Sequence, residues 1–159
     1  MQFVGVVLAG GYSSRMGRDK ALMRFGEERL LDRTIRVLAE LGAQQVLISR
    51  NEDGSEFLTD IFPHCGPLSG IHSALMKTSL PILVVPVDLP LLQGSDLLPL
   101  LVTGLKDGKN VHFERHSLPA FIQNTQNIKR ILTDKLANAK HADLSVKGLY
   151  REIGNVELP

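Results

Sequence analysis

At 159 residues, with 43% hydrophobic and 22% charged content, the chain has the composition of one globular domain spanning 1–159. It is long enough to bury roughly two thirds of its unfolded surface. A formal net charge of +1 and no basic block argue against a nucleic-acid or membrane-surface protein, so any anion site must be local. The longest apolar stretch, Leu80 to Leu92, is interrupted by three prolines and Asp88, which excludes a transmembrane helix, and Met1-Gln2 opens a strand without the cationic start of a signal peptide. The single cysteine, Cys65, cannot form an internal disulfide and reads as a small packing residue in a loop; together these features point to the cytoplasm.

In chain order, Phe3 to Leu8 is an apolar, β-branched run and reads as a buried strand. It feeds a glycine pair, Gly10-Gly11, with Arg15 and Lys20 close behind. Apolar residues then recur at helical spacing through Leu31, Ile35, Leu38 and Leu41, with Asp32 in the first turn and Gly42 as the stop. Gln45 to Ser49 is a second strand, and Gly66-Pro67-Leu68-Ser69-Gly70 opens a helix carrying Ile71, Ala74 and Leu75. Ile82 to Val87 is a third strand, apolar enough to be buried on both faces, and Ser95 is the expected N-cap of a helix containing Leu97, Leu98 and Leu101. Val111 to Glu114 and Leu118 to Gln123 form a hairpin or an edge addition. Two more helices follow, one through Ile128, Ile131, Leu132 and Leu136, the other over 145–153. This alternation predicts an α/β fold: one doubly wound, mostly parallel, Rossmann-like sheet with helices on both faces.

The turn after the first strand carries the chemistry. Two adjacent glycines remove Cβ atoms where the chain leaves the sheet, so backbone N–H groups can approach a ligand, and the following cations suit a polyphosphate. Known phosphate loops do not fit: Gly11 and Gly17 have the wrong spacing for Walker A, Ala21 follows Lys20, and Gly10-Gly11 cannot supply Gly-x-Gly-x-x-Gly. By position, Arg50-Asn51 after the second strand and Asp88-Leu89-Pro90 after the third fall at the same carboxyl edge of the sheet. A carboxylate there, flanked by Pro86 and Pro90, is rigidly aimed and suited to a magnesium ion shared with phosphate oxygens. The five histidines lack metal-ligand spacing and read as surface residues or core edges.

The run Leu8-Ala9-Gly10-Gly11-Tyr12-Ser13-Ser14-Arg15-Met16-Gly17-Arg18-Asp19-Lys20 closely resembles the signature loop of nucleotidyltransferases, specifically the molybdenum cofactor guanylyltransferases known as MobA. Pro86-Val87-Asp88-Leu89-Pro90-Leu91-Leu92 resembles that family's metal-binding Pro-x-Asp-x-Pro-x-Leu element, and Gly66 to Gly70 its Gly-Pro-Leu-Ala-Gly element. The resemblance covers the chain through residue 153, including Leu118-Pro119-Ala120-Phe121 and Leu144-Ser145-Val146-Lys147. It implies a nucleotidyltransferase fold and transfer of GMP from GTP to molybdopterin. Leu8, Ala9, Gly10 and Gly11 would meet guanine and ribose through backbone groups; Asn51 and Asp60 match nucleotide-contacting residues. Arg15 and Lys20 would contact the triphosphate, and Asp88 would hold Mg2+. The implied partners are GTP, molybdopterin, and molybdopterin-carrying or molybdoenzyme-maturation proteins, with no nucleic acid and no membrane.

One element departs from the pattern. Asn155-Val156-Glu157-Leu158-Pro159 has the spacing of the family's acceptor-contacting Asn-x-Asn-Thr-Pro but keeps only the first Asn and the Pro. Two alternatives therefore stand beside the guanylyltransferase: a relative using another nucleotide or acceptor, and a nucleotide-binding paralogue without turnover. The Gly10-Gly11 pair favours guanine over the Ala-Gly form of cytidylyltransferase relatives.

Overall fold

The computed structural model describes residues 1–10, 12, 13, 18–50, 54 and 56–159. The main-sheet strands are β1 (Val4–Leu8), β2 (Val46–Ser49), β3 (Ile82–Pro86), β4 (Val111–Phe113), β5 (His116–Ile122) and β6 (Val156–Leu158). The helices are α1 (Leu30–Glu40), α2 (Pro67–Lys77), α3 (Gly94–Asp107), α4 (Gln126–Ala137) and α5 (Val146–Ile153). The sheet order is β6-β4-β5-β3-β1-β2. β1 runs parallel to β2 and β3, and β4 parallel to β6; β5 alone is antiparallel to its neighbours. The expected mostly parallel sheet is thus present, with the predicted hairpin inserted as β4-β5.

Period-two alternation divides the interior into two cores. Val4 and Val6, Ile82 and Val84, and Ala120 and Ile122 pack with α2, α4 and α5 on one face. Phe3 and Val7, Leu83 and Val85, and Phe121 pack with α1 and α3 on the other. α1 belongs there because Leu30, Leu31, Thr34, Val37 and Leu38 recur on one helical face. Gly104 lets α3 approach closely: a Cβ there would fall 2.1 Å from Phe121 Cδ1. Gly104→Ala is expected to destabilise the fold by about 1–3 kcal/mol through overpacking, outweighing the helix-propensity gain of up to about 1 kcal/mol. A lowered denaturation midpoint at unchanged m-value would check it; an unchanged midpoint would contradict it.

Two details differ from the sequence reading. Ser95 is not the cap of α3: the helix begins one residue earlier, and Gln93 and Asp96 form a reciprocal capping box. Asp96 Oδ2 accepts from the Gln93 N–H at 2.9 Å, so the carboxylate in the first turn reaches back to the cap residue while the Gln93 side chain takes the place expected of the Ser95 hydroxyl. Residues 156–158, to which the sequence reading assigned no element, form a strand, because β4 offers them an open parallel edge. Ser145 does cap α5, accepting from Gly148 N.

Candidate active site

The central strands end level with one another. Ala9 N donates to Ser49 O at 2.8 Å and Val87 N donates to Leu8 O at 3.1 Å, so residues 8–10, 49–50 and 87–88 share one edge. Beyond β1 the chain forms a short pairing of Tyr12–Ser13 with Arg18–Asp19, then a 3-10 turn over Lys20–Leu22. Asp19 caps this turn, its Oδ1 accepting from Ala21 N at 3.0 Å, and Ala21 is fully buried against the α1/α3 side. The turn presents Lys20 to the strand edge, where Nζ lies 3.8 Å from Asp88 Oδ2. Both side chains remain about half exposed, at 41% and 50%, so each stays available to a ligand.

Beside this pair lies a cavity of about 220 Å³ lined by residues that include Leu8, Gly10, Asp60, His64 and Gly66. Its far wall is the entrance to α2, where Gly66 adopts φ 71° and Pro67 occupies the first helical turn. Only glycine takes such a conformation without strain. Ser69 braces the approach by donating to Phe62 O at 2.6 Å and accepting from Cys65 N at 3.1 Å. Ser73 Oγ lies 3.0 Å from Asp60 Oδ1 and 2.9 Å from Ser69 O, its one hydrogen shared between them. Asp60 is therefore held against α2 rather than left as a solvated loop side chain. Nearby, His72 is buried with Nε2 3.0 Å from Thr133 Oγ1. Burial holds its pKa below the usual histidine value, and the Asp60 charge opposes that shift.

Of the expected site residues, Lys20 and Asp88 come together, and Leu8, Gly10 and Asp60 line the adjoining cavity. Ala9 is placed differently: it is buried, and its backbone is engaged by Ser49 O and by Arg50 Nη1 at 3.4 Å. Gly11, Arg15 and Asn51 lie outside the described residues. Four residues given no role of their own in the sequence reading also belong to the region, although Arg50 falls at this edge by position and Ser69 lies in the Gly66–Gly70 element. Ser49, His64 and Ser69 line the cavity, and the buried Arg50 pairs with Asp19. Cys65 is half-buried at the cavity's approach and packs against the core.

Asp88 suits a hard divalent cation: it is an exposed oxygen donor whose described partner is an equally exposed ammonium. Among the described residues no group of three or more His, Cys, Asp and Glu side chains gathers for a metal. Nor, among them, is any helix long and apolar enough to cross a membrane.

At the far end of the sheet, His112 Nδ1 lies 2.8 Å from Phe113 O and 3.0 Å from His116 O, so this nitrogen carries the hydrogen. Nε2 accepts from Asn155 Nδ2 at 2.8 Å, and the ring stacks on Tyr150 at 4.5 Å. The one asparagine retained from the acceptor pattern is therefore tied into the sheet.

A family model described as the MobA-like NTP transferase domain matches residues 5–147. A molybdenum cofactor guanylyltransferase of Xanthomonas euvesicatoria is 37% identical over 139 residues, covering 86% of this chain and 72% of that protein. A probable molybdenum cofactor guanylyltransferase of Opitutus terrae is 41% identical over 101 residues, covering 57% and 50% respectively. The chain thus spans about half the length of several curated relatives. The crystal structure of molybdopterin-guanine dinucleotide biosynthesis protein A from Archaeoglobus fulgidus superposes with TM-score 0.77 at 20% identity, over 98% of this chain and 82% of that one, and it supports the fold. With a family model covering most of its length and a signature loop that leads into the Lys20–Asp88 pair, the chain belongs to the MobA-like NTP transferase family of nucleotidyltransferases.

Proposed function

We propose that this chain, as one domain over 1–159, transfers GMP from GTP to the terminal phosphate of molybdopterin. The observation that carries this reading is the 3.8 Å approach of Lys20 to Asp88 at the strand edge next to the cavity. An oxygen of the acceptor's phosphate attacks the α-phosphorus of GTP. The bond from that phosphorus to the bridging oxygen breaks, and pyrophosphate leaves with the electron pair. No protein nucleophile is required; catalysis consists of positioning and charge stabilisation.

Leu8 and Gly10 offer backbone groups to guanine and ribose, with Gly11, Asn51 and Asp60 completing the nucleotide contacts. Arg15 and Lys20 meet the triphosphate. Asp88 is the residue that would hold Mg2+, which supplies neutralisation of phosphate charge when bound. Lys20 stabilises the charge that builds on the departing pyrophosphate, so it acts more strongly in the transition state than in the ground state. The setting is the cytoplasm, where molybdopterin-carrying or molybdoenzyme-maturation proteins would deliver the acceptor and receive the product.

One observation favours a second reading, in which the acceptor is different. Asn155 donates to His112 and Glu157 places a carboxylate 3.8 Å from the same ring, so this ending presents a structural contact where the family pattern has neutral amides. A thermal-shift panel of GTP, CTP, ATP and UTP with and without Mg2+ tests the nucleotide. Selective stabilisation by Mg-GTP is expected, and equal shifts for all four would contradict guanine selection. Pyrophosphate release that requires molybdopterin then separates the two acceptor readings.

A further inference from the structure

Arg50 is the buried cation of this region, its side chain only 4% exposed. Such burial removes it from direct contact with a ligand in solution. A buried charge is costly unless well paired, and a buried pair is weak evidence of added stability. Its contacts instead suggest a mechanical task. Nη2 donates to Asp19 Oδ2, while Nη1 lies 3.4 Å from both Asp19 Oδ1 and Ala9 O. The guanidinium also sits over the Phe57 ring, 5.7 Å from its centroid. One planar group thereby ties the end of β1, the start of the Lys20 turn and the segment after β2 together, a span suited to the forked donors of arginine.

We propose that Arg50 is a positioning residue for the transfer site, holding Asp19 and through it the turn that presents Lys20. The inference rests on the reading of Lys20 as a triphosphate contact. Two consequences of the geometry support it. Asp19 Oδ1 caps the turn through Ala21 N, so fixing the carboxylate fixes the direction in which Lys20 leaves the backbone. Pairing with Arg50 also occupies the Asp19 carboxylate, which would otherwise compete for the adjacent ammonium. Among the described residues, Lys20 pairs with Asp88 and not with its sequence neighbour.

The test is a double-mutant cycle combining Arg50→Met, which keeps volume, with Lys20→Ala; Asp19→Asn serves as an independent break of the same link. With GTP and molybdopterin, Arg50→Met is expected to lower kcat by about tenfold or more, with KM for GTP moving less than about threefold. In the Lys20→Ala background the same change should have little further effect, and Arg50→Lys should recover only part of the loss. Competitive amine labelling of the substrate-free protein provides a readout that needs no turnover. The reactivity of Lys20 relative to the exposed Lys77 should shift several-fold in both Arg50→Met and Asp19→Asn. Unchanged Lys20 reactivity in both variants, or fully additive kcat losses in the cycle, would overturn the proposal. A wild-type protein that releases no pyrophosphate would instead count against the transfer reading, and the labelling result would still decide this one.

Discussion

Replacing Asp88 with alanine is expected to abolish nearly all pyrophosphate release while leaving the melting temperature close to that of the wild type. The two halves of this expectation come from different facts. Asp88 follows the last fully buried residues of the β3 segment, so its backbone is held by the sheet while its side chain is half exposed. Its ion pair with Lys20 is a surface pair, worth at most about 1 kcal/mol of stability. The fold should therefore tolerate the loss. Chemistry should not, because Asp88 is the carboxylate that lies at the strand edge beside Lys20, where the proposed cation and triphosphate meet. Assaying release across a magnesium titration, alongside a thermal melt, checks both halves. Substantial turnover by the alanine variant, or turnover independent of magnesium, would contradict the assignment of Asp88.

The second large effect concerns Lys20. Lys20→Ala should raise the barrier by about 2–4 kcal/mol, the scale of losing one preorganised donor to a developing oxyanion, or roughly a hundred- to a thousandfold in rate. The loss should appear mainly in kcat, because the negative charge Lys20 meets is greatest as pyrophosphate departs. The turn itself should persist, since Asp19 caps it and Ala21 anchors it without help from the lysine side chain. Comparison of kcat and KM for GTP would check the partition. A fully active alanine variant, or a change confined to KM, would remove Lys20 from the transition-state role.

Much of this architecture was legible because it is written in local patterns. The runs at 3–8 and 82–87 are apolar and β-branched enough to mark interior strands, and 45–49 reads the same way although β2 is a half-buried edge strand; each ends within a residue or two of where the structure ends it. The helical spacing from Leu31 to Leu41 likewise marks α1. What escaped the reading depends on partners distant in sequence. Position after β2 puts Arg50 at the carboxyl edge, but its tie to Asp19, 31 positions earlier, shows only when the fold brings the two together. His64, Ser49 and Ser69 join the cavity only when the carboxyl edge of the sheet meets the entrance to α2. β6 was missed for a similar reason: three residues carry almost no periodicity, and the strand exists because β4 supplies an edge. The cap of α3 went to Gln93 because a reciprocal pair with Asp96 outcompetes a lone serine hydroxyl.

The division of the interior has one more consequence. The Lys20 turn is rooted through Ala21 in the apolar layer shared with α1 and α3, whereas the cavity's wall is rooted through Leu68, Phe62 and Cys65 in the layer of α2, α4 and α5. The proposed triphosphate end and base end of the ligand are thus moored to opposite sides of the sheet. Repacking one layer can alter which base is preferred without disturbing the reacting groups, so selectivity and chemistry are free to drift independently.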